Sequence, residues 1–240
     1  MRLIIIFLFL CMYSNAFAQA YEIQYYYTKP YRPIKDPDFF ANKSASFSAS
    51  FEKMLKTEAK RIRIFTLLFS NGKSKYSIKP YTILNGEKDF DSRRVDGYGE
   101  TYKDFSKGYY VQVADFIGNN TAVKEHFDEI FDWKVDYKRD TLIYGVLCKR
   151  AVTTYNEKTV VAWYAPSIPI MDGPLRYAGL SGLILRLETV FGVTEVHSIQ
   201  VFKEVIEEIN IPEKKKYISF KEMKESRTIT VKAKRIKKKE

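Results

Sequence analysis

The sequence predicts a mainly β or α+β fold: a twisted antiparallel sheet, built as a meander that can curve into a half-barrel, with one or two helices covering it. Three observations carry that expectation. Strand-like runs follow one another through short polar turns, the regular strand-helix alternation of a parallel sheet is missing, and 18 Tyr and 17 Phe supply side chains suited to half-buried pleated surfaces.

Taken in order, Arg2, the apolar run Leu3 to Met12 and the small-residue pattern Ala16-Phe17-Ala18 form a secretory signal peptide, with cleavage expected after Ala18. The apolar run is far shorter than the ~20 residues a membrane helix needs, so the mature chain is expected to be soluble. Tyr21 to Tyr27 alternates as a strand, and Pro30, Pro33 and Pro37 mark an irregular connection. Ser44 to Lys60 sets Phe47, Phe51, Met54 and Leu55 at helical spacing, which predicts an amphipathic helix lying over the sheet. Ile62 to Phe69 and Ser74 to Tyr81 flank Asn71-Gly72, a pair that favours the left-handed dihedrals of a two-residue hairpin turn.

The charged, glycine-bearing stretch Asp89 to Lys107 reads as a loop, and Tyr109 to Val113 reads as a strand. Thr121 to Phe131 places Val123, Phe127, Ile130 and Phe131 at spacings that do not decide between helix and strand. Trp133 to Tyr137, Leu142 to Tyr155 and Val160 to Ala165 are expected strands, joined by turns at Lys138-Arg139-Asp140 and Asn156-Glu157-Lys158. After an interruption at Pro166, Pro169, Gly173 and Pro174, Leu183 to Phe191 and Thr194 to Ile209 form a second pair hinged at Gly192. Ser219 and Glu222 stand at capping-box spacing before a short final helix, and Thr228 to Val231 alternates briefly after it.

The net charge of +11 is concentrated at the end. Residues 213–240 hold twelve Lys or Arg against four acids, a net of +8 that leaves only +3 elsewhere. On an exported protein such a tail suits anionic lipid headgroups or an acidic partner, and nucleic acid is not expected. The predicted layout is a signal peptide over 1–18, one β-rich domain over 19–212 and a basic tail over 213–240. Cys148 is the only cysteine left after the signal, which excludes an intramolecular disulfide; on its apolar strand it reads as a small buried hydrophobe.

Chemistry-bearing motifs are sparse. His126 and His197 have no metal-ligand spacing, and phosphate-binding, dinucleotide and calcium loops are missing, so neither a metal nor a cofactor is predicted. The acids Asp128, Glu129, Asp132 and Asp136 cluster; assembled by the fold, they are the route to a hydrolase, the alternative to a non-enzymatic binding protein. Trp163 and Tyr164 point to opposite faces of a strand, so one of them is a candidate contact residue. Gly173-Pro174 and the bracket Gly179, Leu180, Ser181, Gly182 are candidate ligand- or partner-facing backbone, although the favoured reading of the bracket is a bend feeding a buried strand.

One stretch carries a resemblance. Trp133, Tyr144-Gly145, Cys148-Lys149-Arg150-Ala151, Trp163-Tyr164, Ile168-Pro169, Gly173-Pro174 and Gly179-Leu180-Ser181-Gly182-Leu183-Ile184-Leu185 follow one another in an order and spacing that resembles the GLPGLI family of exported Bacteroidetes proteins. Ser181 stands where that family has proline, and with it goes the backbone rigidity a proline imposes. The resemblance implies an exported protein, in the periplasm or associated with the outer membrane, of uncharacterised activity and with no catalytic residues to carry over. It also implies a partner, an outer-membrane transporter of the TonB-dependent type or another envelope protein. A curved sheet adds one more expectation, an apolar ligand carried in a half-barrel groove.

Overall fold

Along Ala20–Thr28, Tyr21, Ile23, Tyr25 and Tyr27 turn to the core while Glu22, Gln24 and Tyr26 turn away, the period of two that makes the segment a strand. This first strand, β1, lies near the middle of a 12-stranded open sheet in the computed structural model, which describes residues 20–34, 37–78, 99–113, 120–204 and 207–225. The other strands are β2 (Ile62–Ser70), β3 (Lys73–Ile78), β4 (Glu100–Asp104), β5 (Tyr109–Val113), β6 (Thr121–His126), β7 (Lys134–Ile143), β8 (Val146–Tyr155), β9 (Lys158–Ala165), β10 (Leu183–Glu188), β11 (Val193–Phe202) and β12 (Lys216–Ile218). Their order is β12-β6-β5-β4-β3-β2-β1-β11-β10-β9-β8-β7. Every pairing is antiparallel except β12 with β6. The mainly β, antiparallel class expected from the sequence is the observed one.

The hairpins follow local chemistry. Asn71 and Gly72 have φ of 50° and 69°, the left-handed pair that joins β2 to β3 without splaying the strands. Tyr144 and Gly145 repeat the device between β7 and β8, with φ of 53° and 73°. The turn expected at Lys138-Arg139-Asp140 is therefore not a turn. Those residues form an irregularity inside β7, where the register slips between Asp136 and Asp140. The Asn156-Glu157 turn is as expected, with Lys158 already in β9.

Four further expectations change. The presumed loop Asp89 to Lys107 contains β4, whose Thr101, Lys103 and Asp104 are buried polar residues and so gave no apolar signal. Thr121 to Phe131 divides into β6 and a single helical turn, α2 (Phe127–Ile130). The run from Thr194 ends as a strand at Phe202. Residues 216–225, expected within the basic tail, pack on the domain: β12 extends the sheet, Ser219 and Glu222 form the capping box, and Met223 is buried beside Tyr110 and Val123. The expected signal peptide, residues 79–98, Thr228 to Val231 and the lysine-rich end lie outside the described residues.

The sheet is rolled. Register places Lys103 opposite Tyr110 and Tyr110 opposite Glu125, so these side chains share one face. Glu125 on β6 lies 3.5 Å from the Tyr155 hydroxyl on β8, although eight strands separate β6 from β8 in the sheet order. The two ends of the sheet therefore approach each other, with residues 166–182 between them. Ile170, Asp172, Arg176, Tyr177 and Leu180 of that segment are buried. The half-barrel groove expected for an apolar ligand is thus filled, over the described residues, by the chain itself.

The helix α1 (Ala45–Lys60) forms where periodicity placed it, capped by Ser44, whose hydroxyl accepts from the Phe47 amide at 3.2 Å. It does not cover the sheet. None of its residues is buried, and among the described residues no strand shares an extended contact with it.

Candidate functional site

Segment 166–182 is the part of the chain that sequence reading marked, and two buried charged nodes hold it inside the roll. In the first, Lys103 of β4 donates to Asp172 Oδ1 and, at 2.6 Å, to the Gly173 carbonyl; neither charged side chain is accessible to solvent. The Gly173 amide also donates to Asp172 Oδ1, at 2.6 Å, while the Asp172 carbonyl accepts from the Ile184 amide at 2.8 Å. Burial pulls the Lys103 pKa below that of an ordinary lysine, against the attraction of Asp172. Tyr25 completes the node by donating to the Ile184 carbonyl at 2.8 Å; burial, then the Asp172 charge, pushes its hydroxyl well above the usual phenol range.

The second node is Arg176. Its guanidinium donates to Gln112 Oε1 at 2.9 Å and lies 4.1 Å from the Phe220 ring centre, 5.2 Å from Tyr155 and 5.9 Å from Tyr110. Glu125 ties the cluster together: it accepts from the Tyr110 hydroxyl and, at 2.9 Å, from the Phe220 amide. Burial raises the Tyr110 and Tyr155 pKa values, so both phenols stay neutral donors. What this arrangement does is fix a rolled sheet by ionic and aromatic contacts drawn from β4, β5, β6, β8 and segment 220–225.

The residues singled out from the sequence fall around these nodes. Gly173 lies so close to Ile184 that a Cβ there would come within 2.7 Å of the Ile184 Cβ. Pro174 and Leu180 are buried. Gly182 abuts backbone, since its Cβ would stand 2.2 Å from the Ala165 carbonyl oxygen. Gly179 and Ser181 are exposed, and Gly179 has a φ of 90°. Tyr164 is buried against Tyr177, Leu180 and Ile184, while Trp163 on the opposite face is half-buried and donates to Glu188 at 3.2 Å. The structure brings Tyr164, Leu180, Gly173 and Gly182 into one packed region and leaves Trp163 and Ser181 outside it.

The remaining candidates are dispersed. His197 stacks on Tyr26 at 3.9 Å and His126 meets Tyr109 edge-on. Asp132 pairs with Lys134 at the surface, and Asp136 lies between Arg139 and Arg150. Cys148 is buried, its thiol pushed up to about 11 chiefly by burial. Sequence reasoning missed Lys103, Arg176 and Glu125. The one available signal was Asp172-Gly173, a turn-forming pair inside an otherwise apolar, proline-punctuated stretch.

A different surface is conspicuous for what it exposes. On the edge hairpin β7–β8, Tyr137, Leu142, Tyr144 and Leu147 are 75%, 70%, 57% and 55% accessible, and β7 pairs on one side only. Soluble domains usually blunt such an edge.

Residues 108–186 match the profile of a family described as "Protein of unknown function (Porph_ging)". Two solved structures of PNGF-II are similar. One, in space group P21, has a TM-score of 0.54 with 18% identity over 86% of this chain and 33% of that one. The other, in space group C2, has a TM-score of 0.53 with 17% identity, covering 87% and 32%. The chain thus spans about a third of the length of those structures. No curated protein matches it. The chain therefore carries, over residues 108–186, the sequence pattern of an uncharacterised family, and does so on a rolled sheet that a larger protein shares as fold alone.

Proposed function

We propose that the protein is an exported cell-envelope protein of the GLPGLI type that works by binding rather than by catalysis, with the β7–β8 edge as its docking surface and an outer-membrane transporter as its partner. The observation that carries the reading is a division of labour. Three buried charged side chains, Lys103, Asp172 and Arg176, are engaged in holding segment 166–182, whereas exposed apolar side chains gather on an edge strand whose outward backbone groups, among the described residues, have no strand beside them. An extended segment of a partner can add to such an edge through main-chain hydrogen bonds, with Tyr137 and Leu142 supplying side-chain contacts. The signal sequence and the ordered series from Trp133 to Leu185 support the envelope location.

The test is a photo-crosslinking residue at Tyr137, expressed in the native envelope, with a second at exposed Ser181 as control. A transporter captured from Tyr137 and not from Ser181 supports the reading. Equal capture from both, or capture from neither with the protein folded and exported, overturns it.

A further inference from the structure

The helix α1 leaves much of its apolar face uncovered. At 100° per residue, Phe47, Phe51, Met54 and Leu55 form one face and Glu52, Lys56, Ala59 and Lys60 another. In a helix that covers a sheet, the apolar face points inward. Here Phe51 and Leu55 of that face are only half-buried, and Glu52 and Lys56 beside it are exposed. The Tyr31 hydroxyl, in the segment that follows β1, donates to Glu52 at 2.9 Å, and the Lys56 ammonium lies 5.8 Å from the Tyr31 ring. A groove of about 480 Å³ lies between Lys56, Ala59 and Lys60 of the helix and Tyr31 with the strand ends Thr28 and Val193. One side of the apolar face is open to solvent, with Phe47 44% and Met54 47% accessible. Phe39 and Phe40 extend that face, their rings 5.4 Å and 6.2 Å from Phe51.

An isolated helix of 16 residues is marginal in water, and most helical stability comes from burying an apolar face. Charge names the cover. Among the described residues from Lys29 to Arg63, eight Lys or Arg stand against three Asp or Glu, a net of +5 on the segment that carries the exposed aromatic and methionine side chains. Lys43 sits at the helix start, its ammonium 5.7 Å from the Phe47 ring centre. A cationic rim around a protruding apolar strip fits an anionic lipid surface, in which the strip enters the acyl boundary and the lysines meet headgroup phosphates.

We infer that α1 and the Phe39-Phe40 turn form a membrane-surface anchor that docks the protein on anionic lipid, independently of the β7–β8 edge. The measurement is co-sedimentation of the purified full chain with vesicles of phosphatidylcholine alone and of phosphatidylcholine with phosphatidylglycerol. Binding is expected only to the anionic vesicles and is expected to weaken with salt. Phe47→Ser with Met54→Ser should lower the partition about tenfold with the near-ultraviolet spectrum unchanged, because both side chains are outside the core. Truncation after Glu225, which removes much of the basic end, should leave α1-dependent binding in place. The inference fails if the double variant binds as the parent does, if truncation alone abolishes binding, or if the parent is a dimer that the double variant dissolves without ever having bound lipid. Envelope capture through Tyr137 is unaffected by any of these outcomes, so the two readings stand or fall separately.

Discussion

Replacing Asp172 by Asn keeps the side-chain shape and an acceptor for Lys103 and for the Gly173 amide, but removes the charge that offsets a fully buried ammonium. Breaking a buried pair in this way costs about 3–5 kcal/mol. Linkage sets an independent ceiling. The stranded Lys103 escapes by releasing its proton, and from an unfolded value of about 10.4 this costs about 4.6 kcal/mol near pH 7, at about 1.36 kcal/mol per unit. Burial already depresses the Lys103 pKa in the parent, and the substitution depresses it further. A base with a depressed folded pKa has its full stability above the unfolded value and loses it as pH falls. The Asp172→Asn penalty should therefore be about 4 kcal/mol near pH 7 and shrink by about 1.4 kcal/mol per unit on going to pH 9. Urea denaturation followed by the fluorescence of Trp133 and Trp163 measures it. A loss below about 1 kcal/mol near pH 7, or a penalty that grows with pH, would refute the argument that this pair is an uncompensated-charge problem solved by geometry.

Three further outcomes are expected. Gly182→Ala should destabilise by about 3 kcal/mol, because its Cβ collides with the Ala165 carbonyl, whereas Ser181→Ala at the exposed neighbour should change stability by less than about 0.5 kcal/mol; thermal melts of the two compare them directly. The Asp104 carboxyl is held below the usual carboxylate range: burial acts to raise it, but the Ser106 hydroxyl, the Ser106 and Lys107 amides and the Lys107 charge outweigh that effect. Its contribution is present above about pH 4 and lost as pH falls through the depressed value, so the stability gap between parent and Asp104→Asn should close on acidification, as read by denaturation near pH 7 and near pH 3. The Cys148 thiol, pushed up to about 11, should resist alkylation in the native protein at about pH 8, where roughly one molecule in a thousand is thiolate, and react promptly in urea.

The sheet was legible wherever apolar side chains alternate or a turn pair such as Asn71-Gly72 breaks the run, because those signals are local. β4 was not, because its inward residues Thr101 and Lys103 are polar, and their burial depends on Asp172, 69 residues away from Lys103. The Lys138-Arg139-Asp140 turn was misplaced because three charged residues read alike in a turn and in a bulge of an exposed edge strand. The face of α1 was visible in its periodicity, but not that the fold leaves Phe47 and Met54 of that face uncovered. Of the candidate site, the glycines were legible as places of close approach. Their partners Ile184 and Ala165 lie on β10 and β9, which flank the segment, and the close approaches follow from the pairing of those two strands, which the glycine pattern does not announce.

The position of β1 sets an order of events. Its neighbours are β2 on one side and β11 on the other, with Ala20 opposite Phe202 in the register. A polypeptide that emerges amino end first presents β1 and β2 long before β11 exists, so the seam uniting the two halves of the sheet is sewn only once nearly the entire domain has appeared. Until then Tyr21, Ile23 and Tyr25 lack one of the two strands that flank them in the finished sheet. Long-range closure of this kind is slow, and the half-built sheet is the species that would require a holding chaperone.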